Sequence, residues 1–317
     1  MTRKEGELKS MISTSVRYLF LRRQKTLDFK AILKLKKYIK SNQIQVVHAH
    51  STSYFIASCI KLLSPSIKLI WHDHYGNSEF LDSRKNFILK ALSYLFKHVI
   101  VVNQKLLIWN QKYLFAKNYV MLNNFPNFMY LGKDTVLKGA DGKRIVHVAG
   151  FTEQKDHMNL LRAFHQLLEE ETSWSLHLIG KQYEGHYLDT ILEYIAKHQL
   201  SDSVFLYGVR TDIKNVLSQA TIGVLSSKSE GLPVALLEYG LAKLPVVVTD
   251  VGECSTLIKN KKVVVSPENS IELSKALLYL IRNQEQRQLI SEELFHLVTT
   301  EYSIDSFTKR LEDIYNN

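Results

Sequence analysis

Short apolar runs alternate with longer amphipathic segments along almost the whole chain. The short runs are rich in Val and Ile and carry no polar alternation, which is typical of strands buried on both faces of a sheet. These predicted strands are 44–48, 67–71, 99–102, 119–122, 144–149, 174–179, 204–207, 222–225, 245–249 and 263–265. The predicted helices between them are 29–40, 52–63, 83–96, 104–116, 157–170, 184–198, 232–242 and 270–282. Since strands joined by helical crossovers run parallel, the pattern predicts an α/β protein with doubly wound parallel sheets.

The length predicts two such domains. The chain has 317 residues, about twice a typical domain. The stretch 132–143 is polar and contains glycine, so it is the natural boundary. We therefore expect a first domain over 1–135 and a second over 136–300, with residues 301–317 as a final helical segment.

Charge divides the chain in the same way. Residues 1–137 hold 22 Lys and Arg against 7 Asp and Glu, a net charge of +15, whereas residues 138–317 hold 19 against 24, a net charge of −5. A basic first half favours an anionic partner, either a membrane surface or a phosphorylated substrate, although solvated helix faces would give the same count. No basic-aromatic pattern typical of nucleic-acid binding is present.

Several protein classes are excluded by composition. No apolar run reaches the roughly 18 residues of a membrane span, and the N-terminus has no secretory signal. The two cysteines, Cys59 and Cys254, lie far apart and form no CxxC pattern, which excludes a disulfide scaffold. A reducing, cytoplasmic location is expected.

Glycine and charged groups follow predicted strands in the second half. The run from Gly150 to Lys155 leaves one strand and enters a helix, where a lysine suits a phosphate, although a lysine pointing to water would look the same. After another strand, Glu230 lies in a turn and Glu238 lies in the following helix. Carboxylates placed in this way can accept hydrogen bonds from sugar or ribose hydroxyls, and the amides of residues 231 and 232 favour an anion.

Two histidine pairs end strands in the first half, His48 with His50 and His72 with His74. They could bind zinc or iron, but no acidic ligand motif accompanies them. We favour neutral imidazoles that line a cleft and contact a phosphate or a sugar hydroxyl. Strand-end histidines with purely structural contacts remain an alternative, above all for the first pair.

Residues 229–252, SEGLPVALLEYGLAKLPVVVTDVG, resemble the E-x7-E donor motif of the retaining GT-B glycosyltransferases called group 1, or family 4. The segments around 154–164, 207–222 and 302–315 are similar to other parts of that family. The resemblance implies two Rossmann-like domains that face a cleft, with residues 301–317 packing back toward the first. It also implies sugar transfer from a UDP- or GDP-linked donor to a lipid-linked or saccharide acceptor, for surface polysaccharide or lipopolysaccharide synthesis.

The resemblance also assigns roles to single residues. Lys155 would hold the donor diphosphate, Glu230 the sugar hydroxyls and Glu238 the ribose. The other residues implied at the donor site are Gly150, Gly208, Gly231 and Leu232. His72 is the first choice for the histidine near the reacting sugar, and His74 and Asp73 are placed on the acceptor side. No metal and no other cofactor are expected.

The N-terminus departs from the family pattern. Family members open with a strand, a glycine-rich loop, a helix and a second strand, whereas residues 2–9 are similar to the segment that follows them. The first domain is therefore expected to be truncated. This leaves a non-catalytic nucleotide-sugar-binding or membrane scaffold protein as the alternative function, and the E-x7-E spacing disfavours a nucleotide-sugar epimerase of the same fold.

Overall fold

A computed structural model describes residues 5, 9, 12–76, 78–126, 128 and 134–317. The chain divides into two compact units. Unit 1 comprises Met1–Tyr75, Phe80–Leu122 and Glu312–Asn317, and unit 2 comprises Gly76–Glu79 and Asn123–Leu311. Most of residues 2–9, on which the expected N-terminal truncation depends, lie outside the described part of the chain.

Unit 1 contains a parallel sheet in the order β1-β2-β3-β4. Its strands are β1 (Val46–His50), β2 (Lys68–Asp73), β3 (His98–Val101) and β4 (Asn118–Met121). The helices along this part of the chain are α1 (Phe29–Ser41), α2 (Tyr54–Leu63), α3 (Phe87–Leu92) and α4 (Gln104–Tyr113). Side-chain caps begin two of them, since Asp28 accepts from the Ala31 amide and Asn103 accepts from the Leu106 amide.

The helix predicted over 83–96 is shorter than expected. Only α3 is α-helical there, and a 3₁₀ turn covers Ser93–Leu95. Arg84 lies before the helix because its guanidinium is bound by the Asp73 carboxylate at 2.7 Å. This tertiary ion pair overrides the local helical pattern.

Unit 2 contains a six-stranded parallel sheet in the order β10-β9-β8-β5-β6-β7. Its strands are β5 (Arg144–Val148), β6 (Ser175–Ile179), β7 (Val204–Gly208), β8 (Ile222–Leu225), β9 (Val246–Thr249) and β10 (Val264–Val265). The chain builds one half of the sheet outward from β5 and then returns to build the other half from β8. The predicted doubly wound α/β architecture is confirmed, and its switch point lies between β5 and β8.

The helices of the second part of the chain include three that the apolar pattern did not predict. The full set is α5 (His157–Leu168), α6 (His186–Lys197), α7 (Ile213–Ser218), α8 (Val234–Leu241), α9 (Cys254–Leu257), α10 (Ser270–Arg282), α11 (Gln284–Glu301) and α12 (Ile304–Asn316). The short α7 and α9 were missed, and α11 was missed because most of its residues are polar. Ile290, Leu294 and Val298 nevertheless form a buried stripe at four-residue spacing.

The division between the units falls at residues 122 and 123, not at the expected 135 and 136. The reason is that residues 135–137 bind unit 2. The Thr135 hydroxyl and amide both donate to the buried Asp212 carboxylate, and the Leu137 amide donates to the Gln219 side chain at 3.0 Å. At the other end of the chain, residues 312–317, which include the end of α12, belong to unit 1.

Candidate functional site

The loops after β5 and β8 meet at the switch point of unit 2. Lys155 Nζ lies 2.6 Å from Glu230 Oε1, although the two residues are 75 positions apart. The Ser227 hydroxyl donates to the same carboxylate oxygen at 2.6 Å. Glu230 is only 4% exposed, whereas Lys155 is half-buried. A charged pair therefore stands where ligands bind to open α/β sheets.

The two loops are also joined through their backbones. A 3₁₀ turn, Glu153–Lys155, leads into Asp156, which takes a left-handed conformation and caps α5. The Ser226 hydroxyl donates to the carbonyls of Lys155 and Asp156 at 3.0 and 3.1 Å. These contacts hold the backbone of Lys155 against the loop that carries Glu230.

Gly252 supports the Glu230 turn from beneath. Its φ is +57°, and a Cβ there would lie 2.4 Å from the carbonyl oxygens of Glu230 and Gly231. The Glu253 amide donates to the Gly231 carbonyl at 2.9 Å. Only glycine fits this close approach, so Gly252 is a positioning residue that the sequence pattern hinted at only weakly.

The other predicted donor-site glycines differ in their constraints. Gly150 has room for a side chain, since a Cβ would make only an ordinary 3.5 Å contact with the Tyr183 ring. Gly208 has a φ of +67° with open space around it. Gly180, after β6, is tightly held because a Cβ would lie 1.9 Å from the Ala149 carbonyl. The side chain of Leu232 is buried in the core, so only its backbone could meet a ligand.

Glu238 lies within α8 and is partly buried among Leu236, Leu237 and Tyr239. Burial raises the pKa of Glu238 to about 7. No hydrogen-bond partner for its carboxylate occurs among the described residues. A group that accepts hydrogen bonds and has no protein donor is suited to a ligand hydroxyl.

The four strand-end histidines of unit 1 form one cluster. Parallel pairing places His50 opposite His72, and the rings of His72 and His74 lie 3.9 Å apart. His48 stacks on His50 at 4.3 Å and on His72 at 5.3 Å. The predicted pairs therefore meet because β1 and β2 are neighbours.

Within the cluster, His74 is more accessible than the first-choice His72. His72 is 1% exposed, and neither of its ring nitrogens has a hydrogen-bond partner among the described residues. His74 follows the strand, is half-buried, and shares a 2.9 Å hydrogen bond with His50. Access thus favours His74 as the histidine that meets a ligand.

The histidines are neutral at pH 7. Burial and the neighbouring imidazoles lower the pKa of His48 to about 4 and that of His72 to about 2. Burial followed by the charge of His50 lowers the pKa of His74 to about 4. One nitrogen from each of His48, His50 and His72 lies within 4.8 Å of the others, so these three are a possible metal ligand set.

Asp73 does not contribute a free carboxylate to the acceptor side. Arg84 donates to both of its oxygens, at 2.7 and 2.9 Å, and the Asn110 amide donates to Oδ2 at 2.9 Å. The guanidinium also lies over the rings of Tyr75 and Trp109, at 4.3 and 4.5 Å. Sequence reasoning missed Arg84, because nothing local links it to an aspartate eleven residues earlier.

Solved structures similar to this chain show the fold class. The UDP- and glucose-bound HepE of Anabaena matches with a TM-score of 0.79, over 90% of this chain and 81% of that one, at 15% identity. Sucrose-phosphate synthase of Thermosynechococcus elongatus matches with a TM-score of 0.78, over 90% and 77%, at 16% identity. The chain therefore has the GT-B fold.

Sequence comparison gives the family. The family model described as "Glycosyl transferases group 1" matches residues 133–294. The model described as "Glycosyltransferase Family 4" matches residues 3–119. The chain belongs to the group 1 glycosyltransferases, and it is a transferase. The predicted enzyme class is thereby confirmed.

Three curated relatives are distant but match most of the chain. An uncharacterized glycosyltransferase of Haemophilus influenzae is 24% identical over 90% of this chain and 80% of its own length. The UDP-Gal:alpha-D-GlcNAc-diphosphoundecaprenol alpha-1,3-galactosyltransferase of Escherichia coli is 22% identical over 99% and 87%. The amylovoran biosynthesis glycosyltransferase AmsD of Erwinia amylovora is 24% identical over 81% and 72%. The second of these relatives is named for a diphosphoundecaprenol-linked acceptor, and the third for amylovoran biosynthesis.

Proposed function

We propose that this chain transfers a sugar, with retention of anomeric configuration, from a nucleoside diphosphate sugar to a lipid-linked saccharide. The product belongs to surface polysaccharide synthesis. The observation that carries the proposal is the pair formed by Lys155 and Glu230 at the switch point of unit 2. A cation for a diphosphate and a carboxylate for sugar hydroxyls stand side by side there, next to the N-terminal end of α8.

The nucleoside diphosphate sugar binds to Lys155 and Glu230, which form a pair with each other in its absence. Lys155 neutralises the diphosphate together with the amides of Gly231 and Leu232, and Glu230 accepts from sugar hydroxyls. Glu238 accepts from the ribose, which supplies the donors that its carboxylate lacks among the described residues. Each role is thus matched to a charge or a hydrogen-bonding capacity present in the ligand-free site.

In the reaction, the bond between the anomeric carbon and the diphosphate oxygen breaks, and a bond from the acceptor oxygen to that carbon forms on the same face. The proton of the acceptor hydroxyl passes to the departing diphosphate. Positive charge develops on the sugar and negative charge on the leaving group, so stabilisation of the diphosphate by Lys155 lowers the barrier. A lysine in this place supplies the charge that a metal would otherwise supply, and we propose that transfer continues in EDTA.

A membrane-associated acceptor suits unit 1. The start of its third helix exposes Phe87, at 85%, and Ile88, and Tyr94 is exposed in the turn that follows the helix. Lys85 is exposed beside them, and Lys90 is half-buried on the same helix. Apolar side chains flanked by lysines are typical of a surface that rests on anionic lipid. No helix in the described part of the chain is long and apolar enough to cross a membrane. We propose peripheral attachment at the cytoplasmic face, to be tested by co-sedimentation with phosphatidylglycerol vesicles at low and high salt.

The donor site is tested by calorimetry with UDP and GDP. Lys155→Ala is expected to weaken binding of the preferred nucleotide about tenfold or more, because one charge-assisted contact is lost. Lys181→Ala is the matched control, since Lys181 is exposed at the end of β6 and has no carboxylate partner among the described residues. Its effect should stay within about twofold.

Folding effects are separated by a double variant. Lys155→Ala leaves the buried Glu230 carboxylate without its cation, so Lys155→Ala with Glu230→Gln should melt closer to the parent and still bind nucleotide poorly. NMR of the product linkage then reports retention or inversion. Turnover equal to the parent in both Lys155→Ala and Glu230→Ala would show that the site assignment is wrong, and an inverted product would refute retention alone.

A further inference from the structure

A cavity of about 800 Å³ opens in unit 1 beside the histidine cluster. Its polar lining comes from Arg23, Thr26, His48, His50 and the run Ser51–Ser53, and its apolar lining from Tyr54, Phe55 and Ile88. None of these lining residues carries a carboxylate. The cavity is therefore a site with positive charge, hydroxyl groups and an adjoining apolar wall.

Arg23 has no counter-ion in this cavity. Its Nε and Nη1 atoms are buried and have no hydrogen-bond partner among the described residues. A guanidinium stays charged at any physiological pH, and leaving its donors buried and unpaired is costly. An anion bound in the cavity would satisfy these two donors of Arg23.

The histidines supply further donors. The Tyr315 hydroxyl lies 2.8 Å from His48 Nδ1, and His48 Nε2 is buried with no hydrogen-bond partner among the residues that the structure describes. When Tyr315 donates to Nδ1, the Nε2 nitrogen carries the proton and can donate to a phosphate oxygen. His50 lies one residue before Ser51, which has a φ of +47° and starts the turn that leads into α2. This bend exposes the hydroxyls of Ser51 and Thr52 at the same wall.

We infer that this cavity binds the diphosphate group of the acceptor, with Arg23 as its main cation. The inference rests on the proposed function, because an acceptor site is expected here only if the chain transfers a sugar to a lipid-linked acceptor. The apolar wall of the cavity favours a lipid-linked diphosphate over a free anion. This wall is formed by Tyr54, Phe55 and Ile88, and it suits the first isoprenoid units of a lipid chain.

The test measures binding of inorganic pyrophosphate and of farnesyl diphosphate by calorimetry, with UDP held at saturation so that the donor site of unit 2 is filled. Arg23→Gln is expected to weaken both ligands about tenfold or more. Arg23→Lys should retain part of the affinity, because the charge remains but the fork of donors is lost. Lys25→Gln is the matched control, since Lys25 is exposed and does not line the cavity. Circular dichroism melts establish that each variant folds.

Three outcomes would overturn the inference. The first is equal pyrophosphate binding by Arg23→Gln and the parent. The second is binding of pyrophosphate but not of farnesyl diphosphate, which would show that the cavity does not bind a lipid-linked acceptor. The third is binding of Zn²⁺ at His48 and His50 without binding of either anion. Failure of UDP to bind, with pyrophosphate still held through Arg23, would instead count against the proposed donor site.

Discussion

Glu238 offers a prediction in which stability and donor binding move in opposite directions. Its carboxylate is partly buried in α8 with a pKa of about 7, against an ordinary value of 4.5. The folded protein therefore holds this proton more tightly than the unfolded chain does. The resulting stability is fully present below pH 4.5 and is lost as pH rises through about 7, because the buried group must then be charged. Glu238→Gln removes this cost.

The size of the effect follows from the two pKa values. Their difference corresponds to at most ~3 kcal/mol above pH 7, at 1.36 kcal/mol for each tenfold change in proton affinity. Because the side chain is partly exposed, solvent screening reduces this to about 1–3 kcal/mol. For a domain of this size, the substitution should raise the melting temperature at pH 8 by roughly 3–8 °C. At pH 5 the gain should fall to about a quarter of that at pH 8, since Glu238 is then neutral in the folded protein but already ionised in much of the unfolded chain.

Donor binding should respond in the other direction. A ribose hydroxyl prefers the carboxylate form, so donor affinity should rise with pH through about 7 in the parent. Glu238→Gln should bind more weakly at pH 8 and show a flatter pH profile. Melting curves and calorimetry with the preferred nucleotide, both at pH 5 and pH 8, measure the two effects.

The exposed Glu193 on α6 is the control, and Glu193→Gln should change neither quantity. Destabilisation of Glu238→Gln at pH 8 would refute the reasoning about burial. Unchanged donor affinity, with the expected gain in stability, would refute the ribose role alone.

Three further substitutions test how other residues are held. Gly150→Arg should fold normally, because a Cβ there makes only ordinary contacts, and should tighten UDP binding by up to about tenfold; calorimetry showing no gain would contradict this. Gly252→Ala should lower the free energy of unfolding, measured in urea, by at least ~3 kcal/mol. Gly142 also has a positive φ but has open space around it, so Gly142→Ala should lower that free energy by only about 1 kcal/mol. Equal losses of stability would exclude the clash with the Glu230 turn. Asp73→Asn leaves Arg84 buried without its anion and should lower the free energy of unfolding by about 3–5 kcal/mol. UDP binding should stay unchanged. An unchanged melting curve with lost turnover would instead indicate that Asp73 takes part in the reaction.

Most of the proposed donor site could be predicted from local pattern. Lys155 and Glu230 each follow a Val- and Ile-rich strand, and the E-x7-E spacing places Glu238 about one turn into the next helix. The supporting contacts were beyond such reasoning. Ser227 and Gly252 act on Glu230 through hydrogen bonding and close packing, which depend on three-dimensional approach and leave no periodic signal.

The histidines and Asp73 also show that the sequence predicts the position of a side chain but not its partners. The sequence marked four histidines at strand ends, but their meeting depends on the pairing of β1 with β2. It also suggested Asp73 for the acceptor side, where the structure binds that carboxylate to Arg84 and Asn110. A residue type at a strand end predicts a position, whereas its partners decide whether its charge is free.

The sequence by itself determined the class of this protein. Alternating buried strands and amphipathic helices require parallel α/β sheets, and the motif over residues 229–252 indicates a glycosyltransferase. Tertiary structure alone decided which loops face each other. The strand order of unit 2 brings β5 beside β8 and so joins Lys155 to Glu230 across 75 residues. The physical reason is that local hydrogen bonding and hydrophobic periodicity specify elements, while the order of strands is set by long-range packing of the whole sheet.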